Sequence, residues 1–358
     1  MMANLQEKFA KFMLGPLEGR ADQGPLPTDP EHRWWTPAKP KPRYTAEVAS
    51  SLTAEGLDSS SLLREALSGL SPTDERAMCA VLCALAGDSA AQSTHWNYDV
   101  GGKDGGAFQQ RLRDAGHYEA PEFAVPSHNA FYRTPAGSHS CYGDQAVVVL
   151  RSLVASGGGV NERDLRARVG AAFRPGGELG YGTMDRGELT RDKLPIDSAW
   201  RNGSITGFLK RAAARGFDLA TGGADAAATW TSASCGDDSD SQADLLVRVV
   251  PVVALYAGHP ELLKSVEACV RVTQDNDRAV QYALAAARLL ERVILSGASP
   301  ADAVASVCAA MAEAPVAMED DDLVAHELAK AADSSGRGAT YAESVLEAAG
   351  GKPIPGLA

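Results

Sequence analysis

The chain has 358 residues with a formal net charge of −12, so its overall field would repel a nucleic-acid backbone, and we expect no nucleic-acid partner. Hydrophobic residues make up 45% of the chain and charged residues 22%, as in ordinary globular proteins, and no apolar run of 18 residues predicts a membrane span. An aromatic content of only 6%, abundant alanine and a lack of strand-like alternation predict an all-α, compact multi-helix fold.

Residues 1–72 are predicted to form an N-terminal arm, partly extended, with a short helix around residues 60–70. Residues 1–14 have a short amphipathic pattern with Glu7 and no arginine, which favours a docking helix over a signal or transit peptide. Residues 33–44 interleave basic, aromatic and proline side chains. Either their tryptophans dock on the chain's own domain, or the segment binds a partner, and we expect protein partners through residues 1–44.

A helical domain is predicted over residues 73–332, followed by a tail over 333–358. Ser71-Pro72 and the acidic residues after them predict a helix that begins there and ends near Ala86. Residues 100–135 are predicted to be loop with one short helix, and residues 219–242 a surface insertion. Further helices are predicted at 145–156, 161–175, 202–215, from 244 with a kink at Pro251, and at 260–273, 278–296, 300–311 and 323–332.

The most informative stretch is residues 138–153, where a polar cluster joins an apolar run with helical spacing. The spacing predicts that Gly143, Asp144 and Gln145 lie at a helix N-terminus, which favours anions and carboxylates. Asp144 then has two interpretations: it caps the helix, or it belongs to a binding site.

Five segments in order, at 84–99, 138–153, 200–209, 248–256 and 271–280, resemble the ADP-ribosylglycohydrolase superfamily, and most closely its J-type crystallin and selenoprotein J branch. The resemblance covers roughly residues 75–315. It implies an all-α bundle in which two magnesium ions are held by a Thr-Asp-Asp-Thr turn and a later Asp-x-Asp-Thr turn.

The chain departs from that pattern at both turns. The first aligns with Tyr142-Gly143-Asp144-Gln145, which keeps one carboxylate, and no Asp-x-Asp follows residue 330. His95 stands where the active branch carries a glutamate. We therefore expect no metal and no cofactor, with Mg²⁺ only if the chain is a hydrolase, and we expect the C-terminal metal-binding part to be missing.

The matching motifs supply the candidate site residues. If the chain is active, His95 and Asp144 are the candidate acid–base pair; Trp96 is a candidate for stacking on a base, and Arg201 for clamping a phosphate. The alternative is that these groups satisfy helix ends and loop backbones, with Asn276 and Asp277 capping a helix. The candidate ligand-binding residues are Asp88, Trp96, Asp99, Gln145, Arg201, Asn202, Thr273, Gln274, Asn276 and Asp277.

Six cysteines without a Cys-x-x-Cys pair predict reduced thiols and a cytoplasmic protein, with Cys141 the one candidate for reactivity.

Three functions follow from the resemblance and its departures. The first is a non-catalytic structural or scaffold subunit of a larger assembly, which also binds through uncovered helix faces. The others are a hydrolase of an ADP-ribosyl or related glycosidic bond, and a module that binds an ADP-ribose-like nucleotide without turnover.

Overall fold

The computed structural model describes residues 64–65, 67–97, 106–182, 194–219 and 235–313. The predictions for residues 1–44 of the arm, the helix at 323–332 and the tail (333–358) lie outside the described residues, and the short helix predicted around residues 60–70 is described only in part. The described helices are α1 (Pro72–Ala91), α2 (Gly106–Asp114), α3 (Cys141–Ala155), α4 (Glu162–Phe173), α5 (Gly203–Ala214), α6 (Leu245–Arg248), α7 (Val250–Tyr256), α8 (Leu262–Arg271), α9 (Asp277–Ser296) and α10 (Pro300–Glu313).

The all-α prediction is confirmed over this part of the chain. The described residues contain no β-strand, and their extended contacts are two isolated bridges, Tyr132 with Ile196 and Tyr181 with Ala199. No helix in the described ranges is long and apolar enough to cross a membrane.

Several helix ends lie where capping residues predict them. Ser71 accepts the N–H of Asp74 at 3.2 Å, with Pro72 in the first turn of α1. Asn276 accepts the N–H of Ala279 and so caps α9. Gly297 ends α9 in the left-handed conformation, at φ +68°, which glycine adopts without strain.

Helix α3 forms the centre of the bundle. Ten of its 15 residues are buried, and it packs against α1, α4, α6 and α7. α1 also contacts α7 and α9, while α8 and α10 pack on α9. The core between these helices is mostly valine, leucine and alanine, including Val81, Val149 and Val253. Because small and branched side chains permit close helix contacts, the alanine-rich composition and this packing agree.

Two local predictions need correction, and a third is described only in part. α3 begins at Cys141, four residues before the predicted start, because Ser140 rather than Asp144 caps it. The predicted kink at Pro251 is a break at Val249, since proline fits the first turn of a new helix and α7 begins there. Of the predicted surface insertion at 219–242 the structure describes residue 219 and residues 235–242, and the latter are joined to the turn after α8, where Asp237 donates its N–H to the carbonyl of Thr273 at 2.8 Å.

Candidate functional site

The candidate site lies at the N-terminus of α3, where the C-terminal end of α1 reaches it. Oδ2 of Asp88 accepts the backbone N–H of Ser140 at 2.8 Å, and Oδ1 accepts the Ser140 hydroxyl at 2.5 Å. Nδ1 of His139 lies 3.5 Å from Asp88 Oδ2 and 2.8 Å from the hydroxyl of Ser89. The Asp88 carboxylate therefore occupies the positive end of α3, where a bound anion would otherwise be favoured.

Gly143 makes this arrangement possible. A Cβ added at Gly143 would lie 2.2 Å from Oδ2 of Asp88 and 2.8 Å from its Cγ. Both distances are shorter than real Cβ contacts, so a side chain here and the present Asp88 position exclude each other. The resemblance assigns a metal-binding carboxylate to position 143. In this chain the carboxylate of Asp88, from another helix, fills that space and is held by hydrogen bonds to the protein.

Asp144 is the carboxylate that the first turn retains. Its residue is only 2% exposed, and Oδ2 accepts a hydrogen bond from the hydroxyl of Tyr181 at 2.7 Å. Its backbone N–H donates to the carbonyl of Ser140, which places Asp144 one turn inside the helix. The interpretation of Asp144 as the helix cap is therefore wrong, and its side chain is part of the buried interior.

These residues do not fit a pair of magnesium ions. Two such ions need several unengaged oxygen ligands around them. At the turn, the Gly143 position holds the Asp88 carboxylate, which is bonded to Ser140, and Asp144 is bonded to Tyr181. Within the described ranges there is no group of three or more His, Cys, Asp or Glu side chains arranged to hold a metal.

Cys141, in the first turn of α3, is not a nucleophile. Its residue is 2% exposed, and burial together with the nearby carboxylates of Asp244, Asp88 and Asp144 raises the pKa of its thiol well above the usual value. A thiol must ionise to react, and this one is kept neutral. The expectation that Cys141 is the reactive cysteine is wrong.

Behind the turn, three motif residues converge on one buried guanidinium. Arg248 is 1% exposed, and its NH1 donates to Oε1 of Gln145 at 2.8 Å and to the hydroxyl of Thr273. NH2 donates to Oε1 of Gln274 at 2.7 Å. Gln145, Thr273 and Gln274 were predicted to bind a ligand, and the structure brings them together around a protein cation instead.

The same network includes the carboxylate that balances Arg248. Asp244 Oδ2 lies 3.6 Å from NH1 of Arg248 and accepts the hydroxyl of Ser204 at 2.7 Å. Asn202, a predicted ligand-binding residue, donates to Ser204 Oγ at 3.0 Å. Burial raises the pKa of Asp244, and Arg248 and the Ser204 hydroxyl oppose that shift.

Arg248 and Asp244 are not among the site residues predicted from the sequence, although the sequence carries a signal for both. Arg248 is the single charged residue in an otherwise apolar helical run, and Asp244 stands one helical turn before it. A lone charge on a buried helix needs a buried partner, and the i,i+4 spacing points to one.

Arg201 is bonded to the backbone. Its Nε donates to the carbonyl of Phe173 at 2.6 Å, and NH2 donates to the carbonyl of Gly182. The guanidinium also lies 5.4 Å from the centre of the Tyr181 ring. Burial lowers the pKa of Arg201 to about 10, with Tyr181 opposing the shift. This placement ties the end of α4 to the loop after it, and leaves the predicted phosphate clamp as a hypothesis.

His95 and Trp96 belong to an aromatic cluster above the turn. Nδ1 of His95 is hydrogen-bonded to the hydroxyl of Tyr132 at 3.2 Å, whereas Asp144 is bonded to Tyr181, so the predicted acid–base pair is divided between two tyrosines. Burial lowers the pKa of His95 to about 4, with a smaller opposing effect of Asp88, so the ring is neutral at pH 7.

Trp96 lies at the centre of this cluster and has a left-handed backbone, with φ +57°. The rings of Phe131, Tyr142 and Trp200 meet it edge-on with centroid distances of 5.6, 6.4 and 6.0 Å. All four residues are half-buried.

The last candidate residues lie away from the turn. Asn276 caps α9, and Asp277 accepts a hydrogen bond from NH2 of Arg271 at 2.7 Å with its side chain 74% exposed. The interpretation of Asn276 as a cap is therefore confirmed. Asp99 lies outside the described residues.

Comparison with known proteins agrees with this architecture. The model of the ADP-ribosylglycohydrolase family matches residues 70–354, which continues past residue 332. Crystallin J1A of Tripedalia cystophora is 34% identical over 226 residues, which are 63% of this chain and 60% of that protein. Crystallin J1B of the same organism is 33% identical over the same shares, so the chain spans about 60% of the length of these relatives. No solved structure matches the chain.

Proposed function

The chain belongs to the ADP-ribosylglycohydrolase family, and we propose that within it this protein works by binding rather than by hydrolysis, as a structural or scaffold subunit of a larger assembly. The relatives at 33–34% identity are named as crystallins, which supports a structural role over a catalytic one.

One observation carries the proposal. The space of the side chain at position 143 is filled by the Asp88 carboxylate, which Ser140 holds with two hydrogen bonds. A metal-activated water needs ligand oxygens that are free to coordinate. To supply them, Asp88 would have to leave Ser140, and Asp144 would have to leave Tyr181 inside the core.

The candidate general base, His95, is also poorly suited to activate water without a metal. A general base works best with a pKa near the operating pH. The pKa of His95 is lowered to about 4, and its ring nitrogen is engaged by Tyr132. At pH 7 His95 is neutral but a weak base, so it would remove a proton from water poorly.

The direct test is release of ADP-ribose from an ADP-ribosylated protein, with and without Mg²⁺, using the full chain. We expect no release above the rate without protein. Release that is lost in Asp144→Asn but kept in Glu261→Gln, a surface control, would overturn the non-catalytic proposal. The scaffold role predicts that the native protein migrates well above its monomer mass of 37.4 kDa in an extract. Migration as a monomer would contradict that role.

A second candidate function is binding of an ADP-ribose-like nucleotide without turnover. It is favoured by Trp96, a half-buried residue at the centre of an aromatic cluster, since an indole ring is a stacking partner for a base. Calorimetry with ADP-ribose separates the functions: heat of binding that does not depend on Mg²⁺ indicates a binding module, and its absence favours a scaffold alone. Binding should weaken about tenfold or more in Trp96→Gly, where glycine tolerates the left-handed backbone.

We also propose a cytoplasmic location and no metal cofactor. All six cysteines are free thiols, which fits a reducing compartment. Elemental analysis of the native protein checks the metal, and about two magnesium ions for each chain would contradict this proposal.

A further inference from the structure

The loop over residues 118–126, between α2 and α3, concentrates exposed apolar side chains. Of the six large hydrophobic residues that are exposed in the described part of the chain, three lie on this loop: Tyr118 at 41%, Phe123 at 45% and Val125 at 67%. The others lie on helices, at Leu246, Tyr282 and Leu295. Contiguous exposed apolar groups mark interaction surfaces more often than isolated ones do.

The backbone around Phe123 is held in place by hydrogen bonds while the side chain of Phe123 remains exposed. Phe123 has a left-handed backbone, with φ +55°, which costs a residue with a side chain on the order of 1 kcal/mol. Its N–H donates to the carbonyl of Ala90 at 2.9 Å, and Ala124 beside it is buried. The N–H of His128 donates to the carbonyl of Ser93 at 2.8 Å. The loop is thus hydrogen-bonded to the C-terminal end of α1 at Phe123, and His128, which follows the loop, is hydrogen-bonded to Ser93 just after α1.

We propose that this loop is the docking surface for residues 33–44 of the same chain. Those residues have the sequence Arg-Trp-Trp-Thr-Pro-Ala-Lys-Pro-Lys-Pro-Arg-Tyr, with four basic and no acidic side chains. The loop carries the exposed carboxylates of Glu119 and Glu122 and no basic residue between positions 118 and 126. Opposite charges therefore meet, and the apolar parts of both segments are aromatic or proline.

The proline-rich composition of residues 33–44 suits the exposed aromatic side chains of the loop at 118–126. Alternating prolines favour an extended polyproline II conformation, which loses little entropy on binding and docks against exposed aromatic rings. The guanidinium of Arg113 lies over one face of the Tyr118 ring, 4.2 Å from its centre, so Phe123 and Val125 carry most of the apolar surface that the segment can cover. We expect the rings of Trp34 and Trp35 to cover the exposed side chains of Phe123 and Val125.

The connection between the two segments is long enough. Phe123 is fastened at Ala90, 18 residues along α1 from Pro72, which is about 27 Å of helix at 1.5 Å per residue. The 19 residues from 45 to 63 can span up to about 65 Å when extended. Residues 33–44 can therefore reach the loop in the same chain without exchange between copies.

Hydrogen exchange of the full-length protein tests the proposal independently of catalysis. The variant Lys39→Glu/Lys41→Glu/Arg43→Glu should raise amide exchange over residues 118–125 about tenfold, by releasing the segment. In the opposite direction, Phe123→Asn, which keeps the left-handed backbone, should raise exchange over residues 33–44. Tyr282→Ser, at a residue 37% exposed on α9, is the matched control and should change neither segment.

Adding Glu119→Lys/Glu122→Lys to the triple charge reversal should restore protection, since the charges are complementary again. Unchanged exchange in both segments would overturn the proposal. Protection that rises with protein concentration would overturn it as well, because it would assign the loop to a second copy of the chain. An effect of Tyr282→Ser equal to that of Phe123→Asn would mean that the loop has no special role.

Discussion

The contact between Gly143 and Asp88 can be tested by a double-mutant cycle. Gly143→Ala places a Cβ 2.2 Å from Oδ2 of Asp88, so the carboxylate must move and lose its two hydrogen bonds to Ser140. Hydrogen bonds to a charged group contribute about 1.5–3 kcal/mol each. Alanine within a helix regains about 1 kcal/mol over glycine. The net loss in the free energy of unfolding should be about 2–5 kcal/mol.

The same substitution has the opposite sign without the carboxylate. In an Asp88→Ala background the nearest remaining atom is Nδ1 of His139, 3.0 Å from the added Cβ, which needs to shift by only a few tenths of an ångström, so Gly143→Ala should stabilise the protein by less than about 1 kcal/mol. The two effects therefore differ by at least about 2 kcal/mol, which is the coupling between positions 88 and 143. Urea denaturation at pH 7, followed by circular dichroism, measures all four proteins.

Gly87→Ala is the matched control, because it changes a glycine on α1 where an added Cβ meets nothing within 4 Å. It should be neutral or slightly stabilising in both backgrounds. Additive effects of Gly143→Ala and Asp88→Ala would refute the reasoning, since they would mean that the carboxylate does not occupy the position-143 space.

Three further outcomes follow from the buried groups. The pKa of His95 falls from 6.5 to about 4 on folding, so between these pH values the unfolded chain binds one more proton than the folded chain. The contribution of neutral His95 to the free energy of unfolding should therefore be complete above pH 6.5 and decline toward pH 4, by up to about 3 kcal/mol. Urea titrations across this pH range measure the decline, and His95→Gln should remove it. Arg248→Met should lower the free energy of unfolding by about 3–5 kcal/mol, because the carboxylate of Asp244 stays buried without its ion-pair partner. Arg271→Met, in a more exposed ion-pair network, should lower it by about 1 kcal/mol or less. Equal losses in the two variants would contradict the buried network. A thiol reagent should modify exposed Cys83 quickly and buried Cys141 only on unfolding, and rapid modification of Cys141 would show that the turn opens.

Local sequence signals predicted much of the fold. Ser71-Pro72 predicted the start of α1, and Asn276 the start of α9, because a capping side chain needs only the backbone of its own first turn. The start of α3 was misplaced because two capping candidates, Ser140 and Asp144, lie four residues apart. The side chains of both residues can cap a helix, and the hydrogen bond that Asp88 accepts from Ser140 favours Ser140 as the cap.

The helical class, the family resemblance and the loss of a carboxylate at position 143 can all be predicted without coordinates, because periodicity and residue identity are local properties of the chain. The tertiary structure decided what replaced that carboxylate and where the polar motif residues point. Gln145 and Thr273 are 128 positions apart, yet both bond to Arg248. Which polar groups meet depends on how α3, α6 and the end of α8 pack. A buried charge must find its partners there, since transfer from water without them costs more free energy than a marginally stable domain can lose.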